Sequence, residues 1–206
     1  LSEFTQALAK FSDWIENSES THARYIRNHP LREQYGFKDW YPQPGLEREL
    51  IELYAEEMNF KLPEEVYELY QWHNGKFEIG DYANPVYFGT FEEGFDLVFK
   101  HGFSAFPIFF GDGCYYAISE ATDNLISSPI RLYENYVREA NIIESTYAPN
   151  LTNLMKAVAE CAENFDAISI YLMDRESKNQ LGDRAFLISN IYNKYGVVGE
   201  QCGLWR

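Results

Sequence analysis

Side chains able to do chemistry are present in this sequence, but few of them stand at the spacings that chemistry requires. The four histidines, His22, His29, His73 and His101, form no HExxH pair and have no second histidine or cysteine at ligand spacing. His73 falls beside a run of apolar residues near a helix end, where a packed or capping imidazole is expected rather than a general base. Gly102-Phe103-Ser104-Ala105-Phe106 has the outline of a nucleophile elbow, yet Phe106 stands where the strained turn needs a glycine. Gly75-Lys76 lacks the upstream glycine of a phosphate-cradling loop, because Tyr70 holds that position. Asp112, between Gly111 and Gly113, is a turn residue before it is a metal ligand. Cys114, Cys161 and Cys202 are odd in number, far apart and without a CxxC pair, which points to reduced, buried thiols. We expect no catalytic residue, no cofactor and no metal.

Carboxylates are the abundant group. With 32 acidic and 17 basic residues the formal charge is -15 and the pI about 4.6. Phosphate backbones and anionic membranes repel such a chain, whereas a basic protein is steered toward it. The acids gather in two stretches. One runs through Glu47, Glu49, Glu52, Glu56, Glu57, Glu64, Glu65 and Glu68, diluted by Arg48 and Lys61. The other runs from Glu78 to Asp96 with no Lys or Arg, interleaved with Tyr82, Tyr87, Phe91 and Phe95. Rings anchor and charges steer in protein recognition, so Glu78, Asp81, Tyr82, Glu92, Glu93 and Asp96 are the expected partner-binding residues. Charge reversal at Glu92, Glu93 and Asp96 is expected to weaken binding without unfolding the domain.

The elements that must position these residues follow from periodicity. A hydrophobic fraction of 46% over 206 residues supports a buried core in one domain with a modest extension. No apolar run approaches the roughly 18 residues of a membrane span, no secretory signal is legible at the visible start, and the expected location is cytoplasmic. Asn150-Leu151-Thr152 matches a glycosylation sequon that an intracellular protein would not use. Phe4, Ala7, Leu8, Phe11, Trp14 and Ile15 predict an amphipathic helix that fades at Asn17-Ser18-Glu19-Ser20, with a second helix starting near Pro30. Tyr41-Pro42-Gln43-Pro44-Gly45 marks a boundary between an N-terminal helical extension, 1–40, and a main domain, 41–206.

Two helices then follow, one striped by Leu46, Leu50, Leu53 and Tyr54, the next by Leu62, Val66, Leu69, Tyr70 and His73. Pro63 suits the start of the second, and Asn74-Gly75 a left-handed stop. From Lys76 to about Ser145 the pattern reads as strands and turns. Val86 to Gly89 is one candidate strand, and a hairpin across Gly111-Asp112-Gly113 joins Phe106–Phe110 to Cys114–Ile118. Pro107 is expected at a strand edge or start. Pro129–Tyr133 and Asn141–Ile143 are weaker strands. Helix returns through Leu151, Leu154, Met155, Val158, Ala162 and Phe165 behind an Asn150 cap. A last helix capped by Asp183 carries Leu187, Ile188, Ile191, Tyr192 and Tyr195 and closes at Gly196. The expected class is α+β, a twisted antiparallel sheet flanked by helices.

The run from Pro44 to Gly75, with Leu62-Pro63-Glu64-Glu65 leading to Tyr70-Gln71-Trp72-His73-Asn74-Gly75, resembles the opening of the SUKH superfamily of cell-wall-assembly regulators and bacterial proteins. Phe106 to Ile118 resembles its strand–Gly-Asp-Gly–strand, Asn150 to Met155 its late helix and Ile191 to Tyr195 its closing helix, so the resemblance spans roughly Tyr41 to Arg206. It implies a SUKH-like scaffold without enzymatic activity. Bacterial members look like immunity proteins that neutralise toxins, often nucleases, by direct binding, and fungal members look like regulators of cell-wall synthesis. The resemblance therefore implies a toxin inhibitor that occludes a basic nuclease domain, with an intracellular regulatory or scaffold protein as the alternative. The family's binding face varies, and no binding residue carries over from it.

Overall fold

The structure, a computed structural model, describes residues 1–27, 41–80, 85–111, 114–121, 126–134, 145–168 and 181–198. Helix α1 (Glu3–Asn17) buries Phe4, Ala7, Leu8, Phe11, Trp14 and Ile15, the face that its periodicity predicts. Ser2 caps it by accepting from the Thr5 N–H at 3.0 Å. Helix α2 (Thr21–Arg27) begins soon after, ahead of the helix expected near Pro30, which lies outside the described residues. Arg27 donates to the carbonyls of Ile15 and Ser18, placing a cation at the negative end of α1.

Helices α3 (Arg48–Met58) and α4 (Glu64–Trp72) follow the Pro-Gly punctuation. The expected stripe of α3 needs correction. Its buried seam is Ile51 and Ala55, with Tyr54 and Met58 partly buried beside it, whereas Leu50 and Leu53 face solvent. On α4 the expected stripe holds: Leu62, just ahead of it, and Val66, Leu69 and Tyr70 are buried. Its stop differs from a left-handed cap. His73 is extended at φ -148° and bridges to Pro44, and the left-handed residues are Gly75 and Lys76, at φ 69° and 66°.

Six strands form one antiparallel sheet in the order β1-β2-β3-β4-β5-β6: β1 Phe77–Gly80, β2 Pro85–Phe88, β3 Ala105–Gly111, β4 Cys114–Ser119, β5 Ile130–Glu134 and β6 Ser145–Ala148. The β3–β4 pairing is the expected hairpin, closing at Gly111 opposite Cys114. Pro107 corrects the edge expectation. It lies inside β3, a central strand, opposite Ala117, and the register shifts between Pro107 and Phe109. A bulge accommodates a residue that cannot donate to the ladder. The Asn141–Ile143 candidate lies outside the described residues.

Helix α5 (Phe91–His101) interrupts a region that reads as strand and turn. It is nucleated by a capping box in which Thr90 accepts from the Glu93 N–H at 3.2 Å and Glu93 accepts from the Thr90 N–H at 2.8 Å. Gly94 lets it approach β3, because a Cβ there would stand 2.8 Å from the Pro107 carbonyl oxygen. Helix α6 (Leu151–Phe165) starts at the expected cap, with Asn150 accepting from the Asn153 N–H at 2.8 Å. Helix α7 (Leu181–Lys194) begins ahead of Asp183, and Leu187, expected on its buried face, is exposed. The chain is thus α+β, with seven helices and a six-stranded antiparallel sheet among the described residues.

One core joins these layers: α1, α3, α4, α5, α6 and one sheet face contribute to a single buried cluster. Helices α1 and α6 run side by side in the same direction, as the pairs Glu3–Lys156, Lys10–Glu163 and Trp14–Asp166 show. The turn after α4 passes close against the backbone that follows β2. A Cβ on Gly75 would stand 2.4 Å from the Gly89 carbonyl oxygen, whereas one on Gly102, at the same φ of 69°, would meet nothing within 4 Å. Gly75→Ala therefore carries a backbone clash on top of left-handed strain and should destabilise by more than about 2 kcal/mol, against about 1 kcal/mol for Gly102→Ala. Urea denaturation of the two variants checks this, and equal losses would refute the role assigned to Gly89.

Candidate protein-docking surface

Residues of the Leu62–Gly75 motif act inward. Glu64 holds Arg48 through two hydrogen bonds of 2.6 and 2.9 Å, and the guanidinium lies 4.5 Å from the Tyr67 ring centre. This pairing lowers the Glu64 carboxyl below the usual range. Glu65 is buried and accepts from the Leu151 and Thr152 N–H groups at 3.2 and 3.0 Å, and also from the Thr152 hydroxyl. Its carboxylate thus stands at the positive end of α6. Burial nevertheless raises its pKa, against the pull of those three donors.

Glu68 accepts from Ser2 and Thr5 at 2.6 and 2.7 Å, and the Trp72 indole donates to Ser12 at 2.7 Å. His73 Nδ1 lies 2.9 Å from the Gln43 carbonyl, which only accepts, so this nitrogen carries the proton. Burial lowers the His73 pKa and keeps the ring neutral between Trp72 and Phe77. Asn74 accepts from the Phe91 N–H at 2.8 Å and donates to Glu92 at 3.1 Å. Glu64, Glu65, Glu68, Trp72, His73 and Asn74 are thus engaged in joining elements.

The expected partner-binding residues separate in space. Asp81 and Tyr82 lie outside the described residues. Glu78 sits on β1, opposite Tyr87 on β2. Alternation with the core residues Phe77 and Ile79 places it on the sheet's second face. A row of rings continues from it through Tyr87, Phe110, Tyr115 and Tyr133 in direct register. Tyr115 and Tyr133 stack at 4.9 Å, so the far end of this row is a second small core.

Glu92, Glu93 and Asp96 instead share α5. Glu93 is half of the capping box, Glu92 is held by Asn74, and Asp96 pairs with Lys100 at 2.8 Å. What sequence reading missed is the apolar component beside these acids. Leu50 and Leu53 on α3 and Phe99 on α5 are 38%, 60% and 52% exposed. The pattern Ile51-Tyr54-Ala55-Met58 is the signal that frees the leucines, and Thr90…Glu93 is the signal for α5.

Other candidate chemistry is occupied. An open groove of about 580 Å³ runs between the C-terminal ends of α1 and α6, lined by Lys10, Asp13, Trp14, Glu163 and Asp166. There Lys10 pairs with Glu163 at 3.0 Å, and Asp166 accepts from Trp14 at 2.7 Å and Ser18 at 2.5 Å. Cys161 is free and buried, its thiol pushed up to about 12 by burial, so it is a poor nucleophile. Cys114 is disulfide-bonded, which corrects the expectation of reduced thiols throughout. Among the described residues no group of three or more His, Cys, Asp or Glu could hold a metal ion, and no helix is long and apolar enough to cross a membrane. Comparison of the chain with protein-family models, curated proteins and solved structures finds no match. Fold and surface together define an α+β domain with an acidic, apolar-studded outer face on α3 and α5.

Two outcomes follow for the acids. Glu78 Oε2 is buried without a hydrogen-bond partner among the described residues, and burial raises its pKa. The folded state therefore binds this proton more readily than the unfolded chain. The contribution of Glu78 is most favourable below the unfolded pKa and is lost as pH rises through the raised folded value. Glu78→Gln should stabilise by on the order of 1 kcal/mol at pH 7, and the gain should vanish toward about pH 4. Unfolding measured at both pH values checks this, and a gain independent of pH would contradict it. Charge reversal on α5 should also divide, against the expectation that it leaves the fold intact. Glu93→Lys should cost about 1–2 kcal/mol by opening the capping box, and Asp96→Lys less than about 0.5 kcal/mol. Thermal melts of the two variants distinguish these costs.

Proposed function

We propose that this chain is a non-catalytic binding domain that captures a basic protein, acting as an immunity protein that neutralises a nuclease-type toxin by covering its nucleic-acid site. One observation carries this reading. In a chain of net charge -15, exposed carboxylates crowd one side of the fold: Glu47 and, on α3, Glu49, Glu52, Glu56 and Glu57, with Glu92 and Glu93 on neighbouring α5. Such a field raises encounter rates with a basic partner and repels nucleic acid and anionic membranes. The resemblance of Pro44–Gly75 to the SUKH opening fits both the immunity reading and a regulatory or scaffold role, and the charge of the surface favours the first. The motif's inward bonding explains how that segment can mark a fold without marking a site.

The compartment depends on Cys114. Its disulfide fits an oxidising environment, whereas the cytoplasmic location expected from sequence requires the thiol reduced. The direct test is association with a nuclease-domain protein encoded beside this gene, followed by stopped flow across ionic strength. The association rate should fall by about tenfold or more from low to high salt, and nuclease activity should be blocked at one-to-one stoichiometry. A salt-independent rate would refute electrostatic steering. No binding to the neighbour, with cellular proteins copurifying instead, would replace the immunity reading by the regulatory one.

A further inference from the structure

Resting on the protein-capture reading, we propose that the partner lays an amphipathic basic segment across the outer face shared by α3 and α5, its apolar side chains meeting Leu50, Leu53 and Phe99. Helices α3 and α5 pack on each other through rings: Tyr54 contacts Phe91 and Phe95 at 5.7 and 4.9 Å between centres. Phe95 is buried, and Phe99 stacks on it at 5.2 Å with an interplanar angle of 14°. The aromatic floor Tyr54–Phe95–Phe99 therefore runs from the core out to solvent. Leu50 lies one turn before Tyr54 and Leu53 beside it, so α3 extends the same apolar surface on its side of the seam.

The rim of this surface is acidic. Glu49 and Glu57 stand one turn before and after Leu53, while Glu92 and Asp96 lie one turn before Phe95 and Phe99. The Lys and Arg side chains on the two helices are already committed, Arg48 to Glu52 and Glu64, and Lys100 to Asp96. Two leucines and a phenylalanine held in water beside Glu49, Glu57 and Glu92, none of which pairs with a Lys or Arg of either helix, suit an incoming helix with an aliphatic face and a lysine- or arginine-rich flank. A second copy of this chain is the wrong occupant, because it would bring the same acidic rim against this one. A phosphate-bearing surface fails on charge for the same reason.

The test uses the full chain and a fluorescent synthetic peptide of about 18 residues built from Leu and Lys as an amphipathic helix, with a scrambled control of identical composition lacking the apolar face. Fluorescence anisotropy at low salt should show the amphipathic peptide binding about tenfold or more tightly than the control. The double variant Leu53→Ala/Phe99→Ala should lose that advantage, a drop of about tenfold or more. Phe186→Ala, which removes a ring 66% exposed on α7, should leave affinity unchanged. All three altered side chains are exposed, and circular dichroism confirms that each variant is folded. Amide shift changes on the wild-type chain should fall on α3 and α5. Equal binding of both peptides, or a double variant that binds like wild type, overturns this docking face while leaving electrostatic capture standing. Failure of the wild-type chain to bind either basic peptide at low salt overturns capture and docking face together.

Discussion

Two carboxamide and carboxylate side chains at opposite ends of one short helix hold this fold together. Glu65, in the first turn of α4, accepts from the first N–H groups of α6, and Asn74, just past its last turn, accepts from the first N–H of α5. Helix N-termini leave several backbone donors without intrahelical partners, and burying one requires an acceptor from elsewhere. Here each N-terminus receives a second cap in trans, beyond its local cap from Asn150 or Thr90. The sequence separations are large, so these contacts fix tertiary placement rather than local structure. Substituting either acceptor would leave a buried donor unsatisfied, and the cost would be felt at a distant helix.

The same helix binds the N-terminal segment. Glu68 gathers the hydroxyls of Ser2 and Thr5, and Trp72 both donates to Ser12 and packs on Phe11. Helix α1 is in turn aligned with α6 by paired charges along its length. These surface pairs add little energy individually, but they set the register of two helices whose apolar faces meet. Residues that read as an extension in sequence thus share one core with the sheet.

Much of this architecture was legible because the local signals agree. In α1 six apolar residues recur at one spacing, and Asn150 precedes an equally clear stripe in α6. Where signals conflict, packing decides. Helix α3 offers two apolar stripes, and the one containing Ala55 is buried because a small side chain permits close approach, leaving the two leucines outward. Helix α5 carries three phenylalanines, which favour strand, and a glycine, which weakens a helix; its capping box, acidic first turn, basic last turn and left-handed Gly102 stop outweigh them. The role of Glu65 could not be read at all, since its partners lie 86 and 87 residues away.

That division bears on where function can reside. A side chain already used to close a helix end cannot also be spent on a ligand without loosening the fold, so the polar residues of the motif are poor candidates for recognition. This applies even to the sequon, where the Asn150 side-chain oxygen caps α6 and the Thr152 hydroxyl is bonded to Glu65. It also divides the acids of α5, where Glu93 is committed to the cap and Glu92 is shared with Asn74. On α3 and α5 the groups left for recognition are the apolar tips of Leu50, Leu53 and Phe99 and the outward Glu49, Glu56 and Glu57. An apolar side chain retained in water on a charged face is best accounted for by an occupant, and the sign of the surrounding charge selects a basic one.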